Sequence, residues 1–315
     1  MRLASFGPSQ GESPGILLDD RLLDVRRALA RRGHHAVGTP TDLISLPYWR
    51  EMAALLVEEA EDTDLVPVSG TRIGPPIPRP GQVILMGANT YSHITEAAAI
   101  SGGVPPHRPM AVGKASGTVV GPADDVVRRP GVETLDYEVE LGVVIGTAAR
   151  DVPEERALDV VAGVTVVNDM SDRDLQRAVH EDHEFYRNPY LGKSYDGFCP
   201  SGPALVTLDE LDDLRDPAAI RLRTWVNDEL RQDSDLTDLV FDVPRIISYL
   251  STVLTLMPGD LICTGSPAGV AAFRNPPLYL QPGDLVRTDI TGLGGTANRI
   301  IAAPQPTTSE KGTHR

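Results

Sequence analysis

One segment of eleven residues constrains the fold of this chain most: DYEVELGVVIG at positions 136–146. Its acidic and apolar residues alternate with the period of a β-strand. One face of such a strand has the acids Asp136, Glu138 and Glu140. The other face has the apolar residues Tyr137, Val139, Leu141 and Val143. Carboxylates about 7 Å apart on one face repel each other, so a cation or solvent must offset their charge. The segment therefore predicts either a site for a divalent cation or the solvated face of an acidic strand.

A candidate general base lies in a short helix. Residues 83–86 predict a buried strand, and Asn89 or Thr90 can cap the helix that follows it. On that helix His93 and Glu96 are three positions apart and share one face. A carboxylate beside an imidazole raises its basicity and fixes its tautomer, as the activation of a water molecule requires. The pair predicts either that role or an ordinary surface contact.

A further acid follows a second predicted strand. The β-branched run at 163–167 leads to Asp169, and a carboxylate at the end of a buried strand needs a partner. The next residues, 171–174, are close to a capping box and predict a helix that carries Arg173 and Gln176. The alternative is that this motif only caps the helix.

Two other motifs predict no site. His180 and His183 are one residue closer together than the histidines of the HExxH zinc motif, and their segment predicts a polar surface excursion. Residues 292–297 resemble a dinucleotide-binding loop. The strand-like residues 298–301 follow that loop, however, where a phosphate-binding helix would have to begin.

The pattern of breaks predicts two domains. Residues 1–72 predict a small N-terminal domain, with a hairpin that turns at Asp19 and Asp20. A connector rich in Pro and Gly opens the main domain, which is expected at residues 73–302. Residues 303–315 are polar and predict a disordered tail.

The composition excludes several function classes. The 44 Asp and Glu residues exceed the 29 Lys and Arg residues, and the net charge of −15 disfavours nucleic acid as a partner. An uninterrupted apolar run of about 18 residues is absent, so we expect no membrane-spanning helix. The two cysteines, Cys199 and Cys263, are too few for a disulfide framework, and the first residues lack a secretory apolar run. These features predict a cytoplasmic protein.

Five separated motifs together resemble the fumarylacetoacetate hydrolase family, over about residues 75–302. They are Asn89 to His93 with Glu96, Asp136 to Glu140, Asn168 and Asp169 with Arg173 to Gln176, Lys193 to Gly197, and Thr264 to Pro267 with Gly269 and Val270. Each motif is weak alone, whereas five in the same order and at similar spacing are specific. The family more often has threonine where this chain has Ser266, a change that keeps the hydroxyl.

The resemblance implies an α+β, β-rich fold, namely a mixed β-sandwich roll of the fumarylacetoacetase C-terminal-domain type with a small N-terminal α/β domain. It also implies a homodimer and a site for Mg²⁺ or Mn²⁺. The residues that it places in the site are the metal ligands Glu138, Glu140 and Asp169, the catalytic groups His93, Glu96 and Lys193, and the substrate-binding residues Arg173, Gln176, Thr264 and Ser266.

A site with three carboxylates and no Cys or His suits a hard cation and leaves coordination positions for a small 2-oxo acid. We expect a hydrolase that cleaves a carbon–carbon bond of an acylpyruvate-like 2,4-dioxo acid. In this interpretation the metal and Lys193 stabilise the pyruvate enolate, while His93, oriented by Glu96, activates the attacking water.

Two alternatives remain open. A 2-oxo acid decarboxylase or a muconate-type keto-enol isomerase would use the same metal site without an attacking water. A non-catalytic relative would serve as a binding or assembly subunit. The products distinguish the enzymes, because hydrolysis gives two fragments, decarboxylation gives CO₂, and isomerisation gives one rearranged molecule.

Overall fold

The computed structural model describes residues 1–35, 37–177, 188–211 and 216–304. His180 and His183 therefore lie outside the described residues, and so does most of the predicted tail, from residue 305 onwards. Among the described residues, every helix is too short or too polar to cross a lipid bilayer.

The strands account for most of the regular structure. Within the described ranges they are β1 (Arg2–Phe6), β2 (Ser13–Leu18), β3 (Arg21–Asp24), β4 (Leu65–Pro67), β5 (Ile73–Gly74), β6 (Val83–Gly87), β7 (Met110–Lys114), β8 (Val119–Val120), β9 (Val126–Arg128), β10 (Leu135–Asp136), β11 (Val139–Ile145), β12 (Val161–Asn168), β13 (Ser171–Asp172), β14 (Cys199–Val206), β15 (Arg221–Val226), β16 (Glu229–Asp235), β17 (Leu261–Cys263), β18 (Leu285–Ile290) and β19 (Gly294–Ala302).

In the described parts of the chain the helices are short. The α-helices are α1 (Val25–Arg31), α2 (Pro40–Ile44), α3 (Trp49–Glu58), α4 (Tyr91–Glu96), α5 (Ala98–Ser101), α6 (Arg173–Arg177), α7 (Pro189–Gly192) and α8 (Val243–Val253). The 3₁₀ helices are Asp62–Asp64, Ser116–Thr118, Glu154–Val160, Leu208–Glu210, Pro217–Ala219, Leu236–Asp238 and Ala271–Phe273.

The strands form a mixed architecture. The main sheet has the order β4-β3-β2-β1-β14-β12-β11-β17-β6-β7, with β5 beside β1 and β8 beside β14. A second sheet has the order β16-β15-β18-β19-β9, and β10 pairs with β13. Most pairs are antiparallel, but β17 with β6, β14 with β8 and β19 with β9 are parallel. The predicted β-rich α+β class with mixed sheets is confirmed.

The centre of the main sheet is buried on both faces. On one face β11 and β12 pack against the second sheet and α8, in a core that includes Leu141, Val143, Val164, Leu222, Ile247 and Ile290. On the other face the first three helices cover the sheet, with Leu29, Leu43 and Leu56 against Val144 and Ala162. The alternation predicted for this strand is therefore present, but each face contacts protein.

The first 72 residues are continuous with this sheet. Strand β1 pairs antiparallel with β14, so that Leu3 lies opposite Leu205. The hairpin predicted to turn at Asp19 and Asp20 is formed by β2 and β3. The N-terminal strands therefore extend the main sheet. The domain boundary predicted at residue 72 stays a prediction.

Two substitutions on α8 test how much of the stability depends on the core between the sheets. Ile247 is fully buried, whereas Val253 on the same helix is 65% exposed. We expect Ile247→Ala to lower the free energy of unfolding by about 2–5 kcal/mol, because it removes buried methyl groups and leaves a cavity. Val253→Ala is the control and is expected within about 0.5 kcal/mol of the unsubstituted protein. Chemical denaturation measures both, and equal small effects would contradict the proposed core.

Candidate active site

The pairing of β11 with β12 brings two separate acids together. Val139 lies opposite Asn168, which makes Glu138 and Asp169 neighbours just beyond the paired residues. The Asp169 amide donates to the Glu138 carbonyl at 2.8 Å, and the Glu138 amide donates to Asn168 Oδ1 at 2.9 Å. Glu140 is fixed from the end of β17, because the Gly265 amide donates to its Oε2 at 2.7 Å.

The three carboxylates could hold a metal ion. Glu138, Glu140 and Asp169 are buried, and one oxygen of each lies within 4.8 Å of the others. In octahedral coordination of Mg²⁺, neighbouring oxygens are about 3 Å apart and opposite ones about 4 Å apart. Small side-chain adjustments would therefore bring all three oxygens onto one ion. A donor set made only of carboxylate oxygens fits Mg²⁺ or Mn²⁺.

The charges in this cluster are unequally balanced. Burial opposes ionisation of Glu138, but the charges of Arg173 and Lys193 outweigh it and lower the pKa of Glu138. Burial and the neighbouring carboxylates of Asp169 and Glu138 instead raise the pKa of Glu140 well above its ordinary value. The cluster thus carries excess negative charge next to Glu140, as expected for a cation site.

Two lysines hold Asp169, one on each carboxylate oxygen. Lys193 Nζ donates to Asp169 Oδ2 and, at 2.6 Å, to Glu138 Oε2. Burial disfavours its charge, but Asp169 and Glu138 outweigh that effect and raise the pKa of Lys193. Lys114 Nζ donates at 2.6 Å to Asp169 Oδ1 and also to the carbonyls of Met170 and Phe198.

Lys114 is a candidate site residue that the sequence reasoning missed. It ends β7, a strand that is mostly exposed or half-buried, and nothing in the local pattern indicates that its side chain is fully buried. A lysine with three acceptors in a water-excluded position fixes the carboxylate that it contacts. Lys114 therefore orients Asp169 and leaves Oδ2 of that residue toward Lys193.

Asp136 has a different role from the other acids of its segment. Its Oδ2 accepts from Arg173 Nε at 2.8 Å, and its two oxygens accept from the amides of Ala271 and Ala272 at 2.7 and 3.0 Å. The prediction that the acids of this segment share one strand face is wrong for Asp136, because β10 ends there and β11 begins only at Val139. The alternative of a solvated acidic face is also wrong, since these acids are buried.

Arg173 links several candidate residues. Besides Asp136, its guanidinium donates from Nη1 to Gln176 Oε1 at 3.0 Å, and its Nη2 lies 2.9 Å from Glu138 Oε1. Burial disfavours the positive charge of Arg173, but the charges of Glu138 and Asp136 outweigh that effect and raise the pKa of Arg173.

The capping box predicted at residues 171–174 is not formed. The Ser171 hydroxyl instead donates to Glu138 Oε2 at 3.1 Å.

His93 and Glu96 form a bonded pair on α4. His93 Nδ1 and Glu96 Oε1 are 2.7 Å apart, and Glu96 Oε2 accepts from the Gly269 amide at 2.9 Å. Thr90 is the N-cap residue, as expected, but its hydroxyl donates to the Ser266 carbonyl at 2.7 Å instead of capping the helix. Helix α4 is thus attached to the loop that follows β17.

The loop from Thr264 to Gly269 depends on two glycines. Gly265 has a φ of +101° and Gly269 a φ of +106°, a region that side chains with Cβ rarely adopt. A Cβ on Gly269 would also lie 2.0 Å from the Arg231 carbonyl oxygen. The loop therefore requires glycine where it donates its amides to Glu140 and Glu96.

Most of the predicted residues line one cavity of about 420 Å³. The predicted site residues in its lining are His93, Glu138, Glu140, Asp169, Arg173, Gln176, Lys193 and Ser266. Glu96 is outside the lining and is hydrogen-bonded to His93. Thr264 is fully buried outside the lining; its carbonyl accepts from Asn89 Nδ2, and its hydroxyl has no hydrogen-bond partner among the described residues. The volume is in the range typical of small-molecule sites.

Comparison with known proteins shows to which family this chain belongs. The family model described as "Fumarylacetoacetate (FAA) hydrolase C-terminal" matches residues 82–301. This chain belongs to the fumarylacetoacetate hydrolase family.

Family members of several activities are similar to this chain. The mitochondrial oxaloacetate tautomerase FAHD2B of Bos taurus is 36% identical over 265 residues, which cover 83% of this chain and 80% of that protein. The fumarylacetoacetate hydrolase of Exiguobacterium antarcticum is 31% identical, with a TM-score of 0.75 and coverage of 96% and 99%. The maleylpyruvate hydrolase of Sphingobium sp. SYK-6, solved with manganese(II) and pyruvate, is 28% identical, with a TM-score of 0.74 and coverage of 96% and 100%.

Replacing Glu140 tests the metal cluster without removing an ion pair. Glu140→Gln keeps an acceptor for the Gly265 amide but removes one carboxylate. Loss of even an outer partner of a ligand costs about 10- to 100-fold in metal affinity, so we expect at least that loss for Mn²⁺ in calorimetric titration. The metal-free variant should also melt at a higher temperature than the unsubstituted protein, because a buried carboxylate no longer faces Glu138 and Asp169.

The control is Glu96→Gln, a similar change outside the cluster, which is expected to leave Mn²⁺ affinity unchanged. Unaltered affinity in Glu140→Gln would remove this residue from the set of ligands.

Proposed function

We propose that this family member is a divalent-metal-dependent hydrolase that cleaves a carbon–carbon bond of an acylpyruvate-like 2,4-dioxo acid. One observation carries the proposal: His93, hydrogen-bonded to Glu96, lines the same cavity as the cluster of Glu138, Glu140 and Asp169. A base and a cation site facing one substrate-sized space are what hydrolysis of such an acid requires.

His93 is the proposed general base. Its Nδ1 is engaged by Glu96, so Nε2 is the nitrogen that takes a proton from water. Glu96 is itself held by the Gly269 amide, which fixes the direction of the imidazole. As the proton arrives, the Glu96 carboxylate stabilises the imidazolium.

Lys193 and Arg173 are the proposed stabilisers of the departing pyruvate part. Both are cationic, buried and in the cavity lining. A bound Mg²⁺ or Mn²⁺ would supply Lewis-acid stabilisation of the enolate charge. Lys193 is held by Glu138, Asp169 and the Ser171 hydroxyl, so it presents its positive charge from a fixed position. The enolate takes up the proton that His93 has removed from water. Gln176 and Ser266, which line the cavity, are proposed to orient the substrate. A substrate-binding role for Thr264, which is buried outside the lining, stays a prediction.

A second candidate is keto-enol tautomerisation of a 2-oxo acid. It is favoured by the similarity to a protein named as an oxaloacetate tautomerase, at 36% identity. The same base would then move a proton between substrate atoms without an attacking water. The choice of metal, a homodimeric assembly and a cytoplasmic location stay predictions, and the proposed partner is a small 2-oxo acid.

Product analysis tests the proposal directly. The purified protein is incubated with Mn²⁺ and a panel of acylpyruvates and oxaloacetate, and the products are separated. We expect pyruvate and a carboxylic acid in equal amounts from an acylpyruvate. One rearranged molecule would favour the tautomerase, and release of CO₂ faster than in a protein-free control with Mn²⁺ would contradict both.

Replacing His93 tests the base. His93→Ala should lower turnover of the acylpyruvate by about 10²-fold or more, because general base catalysis contributes that much. Mn²⁺ affinity should stay unchanged, since His93 lies outside the carboxylate cluster. Turnover near that of the unsubstituted protein would exclude His93 as the base.

A further inference from the structure

The cavity contains a cation that the proposed mechanism does not use. Arg177 ends α6 and lines the cavity together with Arg173 and Lys193. The other two cations are neutralised by carboxylates, Arg173 by Asp136 and Glu138 and Lys193 by Glu138 and Asp169. Among the described residues no carboxylate lies within ion-pairing distance of the Arg177 guanidinium.

The position of Arg177 is not that of a surface arginine on a helix. Asp174 precedes it by three positions, a spacing that suits an ion pair on one helix face. The guanidinium instead lies over the ring of Phe273, 5.5 Å from its centroid. A planar guanidinium on an aromatic face keeps its N–H donors directed outward around the ring, where they can take a carboxylate.

Phe273 connects Arg177 to the candidate base. Its ring also packs edge-on against the His93 ring, with centroids 5.7 Å apart. Asp136 braces both elements, because it bonds Arg173 at the start of α6 and the amides of Ala271 and Ala272 in the 3₁₀ helix that carries Phe273. Arg177 is therefore held on the His93 side of the cavity, where the acyl part of the substrate would lie.

We propose that Arg177, stacked on Phe273, is a specificity-determining residue that binds a second carboxylate at the acyl end of the substrate. The inference rests on the proposed function and names its substrate class: a 2,4-dioxo acid whose acyl chain ends in a carboxylate. The pyruvate carboxylate belongs at the metal cluster, so the second anion needs its own cation. In a chain with a net charge of −15, such a dianion requires a local positive partner to enter.

Two matched substrates test the assignment. Succinylpyruvate carries the terminal carboxylate, and its terminal amide has nearly the same shape without the charge. We expect Arg177→Gln to lower kcat/KM for succinylpyruvate by about 10- to 100-fold, mostly through KM, because a hydrogen-bonded charge pair is lost. The amide should change by less than about 2-fold. Arg177→Lys should retain part of the preference, since it keeps the charge but not the planar fork.

The control variant is Arg156→Gln, which removes an exposed arginine from a distant 3₁₀ helix. It is expected to leave both substrates unaffected. An equal loss for both substrates in Arg177→Gln would assign Arg177 a structural role, and an unchanged preference would overturn the proposal.

A binding measurement separates this inference from the hydrolase proposal. 2-Oxoadipate has the terminal carboxylate but no 4-oxo group and cannot be cleaved in this way, and 2-oxohexanoate is its monocarboxylate counterpart. With the Mn²⁺-loaded protein, calorimetry should show a preference for 2-oxoadipate that Arg177→Gln abolishes. Such a preference without any turnover of an acylpyruvate would contradict the hydrolase proposal and support the carboxylate subsite at Arg177. Turnover without such a preference would support the hydrolase proposal and contradict the subsite.

Discussion

The burial of four carboxylates in one small region is the constraint on which the rest of the site depends. These acids are Asp136, Glu138, Glu140 and Asp169, none more than 5% exposed. An isolated buried carboxylate is strongly unfavourable, so each needs donors or cations close by. The cations in contact with them are Arg173, Lys193 and Lys114. Four negative charges against three positive ones leave the region short of positive charge. A bound divalent cation would offset the remaining charge and leave one positive charge for an anionic substrate.

The sheet makes this arrangement rigid. Strands β11 and β12 lie at the centre of the main sheet with protein on both faces, so their ends cannot shift without disturbing two cores. The loop after β17 adds two backbone amides at fixed positions, one to Glu140 and one to Glu96. The same backbone segment thereby positions the candidate base and one of the candidate ligands. Preorganisation of this kind lets charged groups act on a substrate without rearranging first.

Local parts of this site could be predicted from the sequence, and the contacts between distant parts could not. The three-residue spacing of His93 and Glu96 on one helix face already implies their contact, and the alternation at 136–146 separates the acids from the core residues. Periodicity, however, only says which side of an element a residue occupies. It does not reveal that Lys114 reaches Asp169 across 55 positions, or that Asp136 binds the amides of a 3₁₀ helix 135 positions later. The break between β10 and β11 depends on pairing with β13 and β12. For that reason Asp136 does not share a face with Glu138 and Glu140, contrary to what the strand pattern predicted.

In the proposed function, the reaction class depends on the acyl side of the cavity more than on the carboxylate cluster. Hydrolysis of a 2,4-dioxo acid and keto-enol tautomerisation of a 2-oxo acid both pass through an enolate, which a cation held by Glu138, Glu140 and Asp169 would stabilise in either reaction. The proposed difference is whether water or a substrate C–H group lies in front of His93 Nε2. The Phe273 ring packs against the His93 ring, and we infer that the position of the acyl group determines whether a water molecule fits beside His93. A residue that orients the acyl group consequently influences both which substrate is bound and which reaction follows.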